Sequence, residues 1–268
     1  MKSKSKTARA VLPNRGIEAA YKRRLMSIID RMAANIEWFV AAQYRKAPPR
    51  MVGEVELAQD AARAPAQAMQ IRLGELRDQW QEEFDQAAED VATGYVTRMA
   101  KHADNAFMAA LKDAGWAIKF EMTPAVRDVL SASIGENIGL IKSIPAEFLG
   151  RVEGIVMRGY TAGRDLQYIT TELRALQPMT ARRAALIARD QCNKANAVVN
   201  RARQLELGIT RAVWMHSGAG KEPRPGHVQA GKEKREYNIA EGCPIDGEMI
   251  QPGTLINCRC SARPVLPF

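Results

Sequence analysis

No stretch of the 268 residues holds eighteen consecutive apolar positions, so a membrane-spanning helix is excluded from the expectations. The opening MKSKSKTARAVLPNRG is basic but lacks the apolar core of a secretory signal. Cysteine is scarce, four in all. With no export signal, so few thiols argue for a reducing compartment and against a disulfide framework. Aromatic residues make up only 6% and do not interleave the basic stretches as a groove for single strands requires. No internal repeat is visible.

Recognisable catalytic arrangements are missing too. The run Gly218–Lys221 (GAGK) invites a phosphate-loop reading, but Glu222 stands where Ser or Thr should follow the lysine, and Met215 where the first glycine belongs. A Cys–His dyad can be drawn with His216 or His227, yet no residue marks itself as the orienting third member. His102 sits among alanines in a helical stretch, with no role. Paired carboxylates occur only on an acidic helix, where a solvated face explains them. No enzyme is expected on these residues.

What is present is helix. The chain is 46% hydrophobic, ordinary for a globular protein and enough for one large domain or two smaller ones. In residues 17–46 the side chains Tyr21, Leu25, Ile28, Met32, Ile36, Phe39 and Val40 recur at spacings of three and four, and Pro48-Pro49 ends the helix. A second helix follows over 65–99, with Met69, Leu73, Leu76, Trp80, Phe84, Ala87, Val91 and Tyr95 as its apolar stripe. The two read as an α-hairpin. A third helix covers 98–114 and stops at Gly115. Residues 116–122 alternate like a strand, with Trp116, Ile118 and Phe120 on one side. Short helices are expected over 124–142, 145–162 and 165–176, separated by Pro145, Gly163 and Pro178. A longer one covers 180–207, capped by Thr180, with Ala188, Cys192, Ala195, Val199, Ala202 and Leu205 on the buried face and Arg203 with the other cations elsewhere. After it the pattern turns to short strands: 209–215, one near Tyr237, a hairpin at 243–250 turning on Asp246-Gly247, and a last strand over 255–266. The expected fold is α+β, predominantly helical, with a long N-terminal helical hairpin and a C-terminal domain holding a small antiparallel sheet. Its expected parts are a basic flexible arm (1–16), the hairpin as a docking element (17–115), a connecting helical region (116–178) and a C-terminal domain (179–268).

Charge is uneven. The net value is +9. Residues 1–24 carry eight Lys or Arg against Glu18 alone, whereas residues 53–90 hold ten acids. Lys2, Lys4, Lys6 and Arg9 in the arm, with Arg182 and Arg183 on the later helix, are the candidate contacts to nucleic acid. The alternative is a solvated surface.

Chemistry-bearing residues gather at the end of the chain. His227, Cys243, Cys258 and Cys260 supply four ligands of the type and number that tetrahedral zinc takes. On a strand, Cys258 and Cys260 would face the same way. The other reading is small thiols packed in a sheet core. No cofactor is expected beyond that zinc.

The same residues carry a resemblance. Ile187-Ala188-Arg189 with Asn196, then Gly208-Ile209 leading into a strand with Trp214, then Arg224 and His227, and the closing Asn257-Cys258-Arg259-Cys260, follow one another as in the head morphogenesis proteins of tailed phages related to Mu protein F. The resemblance covers residues 180–268, about a third of the chain. It implies a minor head protein that associates with the portal and supports head assembly and genome packaging or delivery. Implied partners are the portal, scaffold or major capsid protein and packaged double-stranded DNA, with no membrane. The implied location is the virion near the portal vertex, and the host cytoplasm during assembly. The alternative is a DNA-binding internal protein ejected with the genome. Third comes an ADP-ribosyltransferase-like enzyme, for which no Arg, Ser and Glu set stands out. One departure concerns an acid that relatives commonly carry in an Arg-Thr-Glu run. Here the run is Arg189-Asp190-Gln191, which keeps the arginine and shifts the acid. The chain also stops soon after the cysteine pair, as expected of a form without an appended toxin domain.

Overall fold

The computed structural model describes residues 6–49, 64–163 and 165–267. Lys2, Lys4 and the start of the acidic stretch lie outside them. In order come α1 (Arg15–Lys46), α2 (Pro65–Asp113), α3 (Pro124–Thr161), α4 (Leu166–Glu206), β1 (Arg211–Met215), α5 (Pro225–Lys232), β2 (Glu236–Asn238), β3 (Cys243–Ile245), β4 (Glu248–Ile250) and β5 (Ser261–Val265). The fold is α+β and predominantly helical, with a small antiparallel sheet near the C-terminus. No described helix is long and apolar enough to cross a membrane.

Two compact units divide the chain. One takes Met1–Tyr21, Val91–Asn137 and Leu186–Phe268, the other Lys22–Asp90 and Ile138–Ala185. Each of the four long helices gives a segment to each unit.

The second unit is a four-helix bundle. Arg31 meets Glu83, and Asn35 accepts from the Trp80 indole, so α1 and α2 run in opposite directions. Asp85 meets Lys142 and Arg77 meets Glu153, so α2 and α3 also run in opposite directions. Glu147 with Arg183 joins α3 to α4, and Glu37 with Arg174 closes the ring from α4 to α1. Inside lie Leu25, Met32, Ile36, Leu73, Leu76, Phe84, Ile144, Val152 and Leu173, all buried. Apolar stripes at helical spacing leave only such an interior as a place to hide from water. The expected hairpin therefore contributes two of the bundle's four helices.

Pro145 and Pro178 do not break the chain; both sit inside helices. An interior proline costs about 3 kcal/mol. Burial of Ile141, Ile144, Phe148 and Leu149 around Pro145, and of Leu173, Leu176 and Ala184 around Pro178, keeps both helices continuous. Side chains also bind nearby carbonyls: Ser143 takes that of Leu140, and Gln81 that of Lys142. The expected third helix is the continuation of α2.

The first unit is built on the sheet order β2-β1-β5, all antiparallel. A separate β3–β4 hairpin turns on Asp246 and Gly247, both at positive φ (52° and 84°), the conformation a tight two-residue turn demands. Residues 6–14 were expected in a flexible arm. Instead Thr7 bridges to Val265, Ala8 and Val11 are buried, and the Asn196 amide donates to the Val11 carbonyl. Residue 14 then caps α1, its Oδ1 accepting from the N–H groups of Gly16 and Ile17. The apolar Ala-x-x-Val pair anchors this segment to the sheet edge despite its charge.

Residues 116–122 form no strand. Their alternation is real, because Trp116, Ile118 and Phe120 pack on the core. Their backbone stays out of the sheet, and Glu121 gives its carbonyl to Arg203 instead.

Candidate functional site

His227, Cys258 and Cys260 come together in the first unit, all buried, with one donor atom from each lying within 4.8 Å of the others. Their elements differ. His227 lies in the first turn of α5, where Pro225 starts the helix with a fixed φ and no donor to lose. The two cysteines precede β5, which begins only at Ser261, so strand alternation does not align them as expected. A loop does. The Cys258 N–H closes a turn onto the Leu255 carbonyl, and Gly253, at φ 85°, directs its own N–H to the Cys258 sulfur at 3.3 Å. His227 Nδ1 stands 3.6 Å from Cys258 Sγ and 3.8 Å from Cys260 Sγ. Its Nε2 is buried with no hydrogen-bond partner.

Cys243 is outside this group. It opens β3 and is buried in the core with Tyr237 and Ile245. Cys192 is buried on α4, and burial pushes its thiol up to about 12. The clustered pair behaves differently. The hydrogen bond from Cys260 holds the Cys258 thiol well below the ordinary range against the opposing effect of burial, with help from backbone N–H groups including that of Gly253. The same pairing pushes Cys260 up.

Two walls hold the group in place. Trp214, wholly buried on β1, meets the His227 ring edge to face at 5.0 Å. α5 lies so close to the end of β1 that a methyl group at Gly231 would overlap His216 Cβ. Gly231→Ala is therefore expected to destabilise the unit by about 1–3 kcal/mol through overpacking. An unshifted urea midpoint would show that α5 does not pack there.

The loop carrying the cysteines is clamped to α4. Asn257, at φ 62°, accepts from the Arg189 guanidinium at 2.7 Å and donates its N–H to Asp190 Oδ1 at 3.0 Å. The Arg224 guanidinium donates to the neighbouring Ile256 carbonyl. The shifted acid of the Arg189-Asp190-Gln191 run therefore has a role here, holding a strained residue next to Cys258. Burial raises the Asp190 pKa, although the Asn257 N–H and Arg189 oppose the shift. A raised carboxyl favours folding when protonated, so its charge costs stability as pH rises from the unfolded value through the folded one. Asp190→Asn, which keeps an acceptor, is expected to be at least as stable as the parent at pH 7, with the difference fading on acidification below about 4. Asp190→Ala should fall below Asp190→Asn by about 1 kcal/mol. Thermal melts at both pH values check the pair.

A cavity of about 750 Å³ borders the cluster and includes His227 and Cys260 in its wall. Arg189, Lys221, Arg224 and Arg259 also line it, against one acid, Glu222. His216 is part of the same wall, its Nδ1 accepting from the Gly218 N–H.

Sequence periodicity misses Arg203. Expected away from the buried face of α4, its side chain is only 2% exposed. It bonds both oxygens of Asp104, pairs with Glu206 and donates to the Glu121 carbonyl. Conversely Leu205, expected inside, is 38% exposed. Asn193, Asn196, Asn200 and Gln204 continue a buried polar stripe. Of the candidate nucleic-acid contacts, Lys6 and Arg9 belong to the first unit, with Arg9 beside Asp113. Arg182 and Arg183 belong to the second, Arg182 exposed and Arg183 bonded to Glu147 and Ser143.

Comparison with known proteins agrees with the motif order. Residues 151–263 match the family described as Phage Mu protein F like protein. The match begins within α3, earlier than the expected boundary at 179. The chain is also 31% identical over 182 residues to an uncharacterized protein of Haemophilus influenzae, an alignment covering 67% of this chain and 39% of that relative. The chain thus spans well under half the relative's length. No solved structure matches.

Proposed function

We propose, for a chain whose residues 151–263 belong to the Phage Mu protein F like family, that it is a minor head protein of a tailed phage without catalytic activity. It joins the head at the portal vertex during assembly in the host cytoplasm, stays in the virion and supports genome packaging or delivery. The family match is the observation that carries this reading. Two features support it. The site residues are used in structure: Arg189, Asp190, Arg224 and Asn257 fasten a loop rather than point at a reacting group. The bundle offers an outer face with charged side chains of both signs, suited to a protein partner. The portal is the proposed partner, with scaffold or major capsid protein as neighbours. Electron cryomicroscopy of virions is expected to show a few copies at the single portal vertex. Hundreds of copies on the capsid lattice would overturn the reading.

A second reading, a DNA-binding internal protein ejected with the genome, is favoured by the four cations of the cavity wall. Phosphate binding releases counterions and weakens steeply with salt. Retention on DNA-cellulose that falls sharply between low and moderate salt supports this reading; elution indifferent to salt counts against it.

A further inference from the structure

We propose that His227 Nδ1, Cys258 Sγ and Cys260 Sγ bind one zinc ion, independently of where in a phage the protein works. The distances carry the argument. Zinc bonds of about 2.3 Å to sulfur and 2.0 Å to nitrogen at tetrahedral angles separate the ligand atoms by about 3.6–3.8 Å. The two nitrogen–sulfur separations are 3.6 and 3.8 Å, on the edges of that tetrahedron. A single Nδ1 makes one strong hydrogen bond, to one sulfur. Near-equal approach to two sulfurs fits a common centre between them better.

Surroundings agree with the geometry. All three side chains are buried, so an ion there is shielded from solvent on most sides. The Gly253 N–H reaches the Cys258 sulfur, the kind of outer bond that stabilises a metal-bound thiolate and fixes its direction. Thiolate and imidazole together select zinc over magnesium and calcium, which take oxygen ligands. His227 and Cys260 both border the cavity, so the fourth ligand of the proposed ion would be a solvent molecule reaching it from that side. Cys243 and Cys192 take no part. The ion ties the start of α5 to the loop before β5, two segments with no shared strand pairing.

The test uses the full chain, expressed in zinc-supplemented medium and purified under reducing conditions without chelator. Elemental analysis is expected to find about one equivalent of zinc per chain. Cys243→Ser and Cys192→Ser should keep it; His227→Ala, Cys258→Ser and Cys260→Ser should each lose it. Cobalt exchanged into the parent should give the visible bands of a tetrahedral site and thiolate charge transfer in the near ultraviolet. Circular dichroism reports whether each variant folds; if the ligand variants do not, the count and cobalt spectrum of the parent decide alone. Absence of stoichiometric metal in the parent, full metal retention in a folded Cys258→Ser or His227→Ala protein, or a Cys258–Cys260 disulfide in the anaerobically isolated chain would overturn the proposal.

Discussion

Trp214→Ala is expected to lower the unfolding free energy of the first unit by about 3–5 kcal/mol. The indole is wholly buried on the central strand of the β2-β1-β5 sheet. It touches the His227 ring on one side and Tyr237 at 6.3 Å on another, so its loss opens a cavity between sheet, α5 and the cysteine loop. Those walls are fixed by strand pairing and cannot collapse far. Trp214→Phe should lose less, because a ring still covers His227. Urea denaturation followed by circular dichroism gives the difference. An alanine variant with an unchanged midpoint would mean that the sheet is not organised around this side chain.

Arg203→Ala should cost a similar amount, about 3–5 kcal/mol, for an electrostatic reason. The guanidinium is enclosed, with two bonds of 2.8 Å to Asp104, one of 3.0 Å to Glu206 and one of 2.6 Å to the Glu121 carbonyl. It also covers the face of Phe120 at 4.6 Å. Removing it leaves two partly buried carboxylates facing each other without their cation and a carbonyl without its donor. Asp104→Asn in the Arg203→Ala background should recover part of the loss, which a double-mutant cycle measures. A cost under about 0.5 kcal/mol for Arg203→Ala is what a solvated surface arginine would give, and it would contradict the enclosed pairing.

These two residues mark what could and could not be read from sequence. Trp214 sits in a run of alternating residues, and the strand with its burial was legible. Arg203 was not, because a periodicity argument assigns cations to the wet face. Here α4 is covered on a polar side as well, through Asn193, Asn196 and Asn200. Asn200 donates to the Asn196 carbonyl within the helix, but Asn193 and Asn196 donate to the Cys258 and Val11 carbonyls far off in the chain, and those partners are invisible locally. Prolines misled in the same way: Pro145 and Pro178 signal breaks, and long-range burial overrides them. α5 went unread inside a stretch rich in glycine, proline and lysine. Its one available signal was Pro225 as a first helical residue, with His227 following in the first turn. The grouping of His227 with Cys258 and Cys260 was legible from residue type, whereas Cys243 was indistinguishable from that group until the β3–β4 hairpin turned it into the core. The chain order of Arg189, Trp214, His227 and Asn257–Cys260 anticipated the family match over residues 151–263.

The central claim, a head protein that meets the portal, is tested most directly on procapsids that contain no DNA. Purified from cells blocked in packaging, they should contain this chain, and chemical cross-linking with mass spectrometry should join it to the portal protein. Its absence from such procapsids, together with its presence in filled heads, would contradict the portal assignment and leave the genome as the partner.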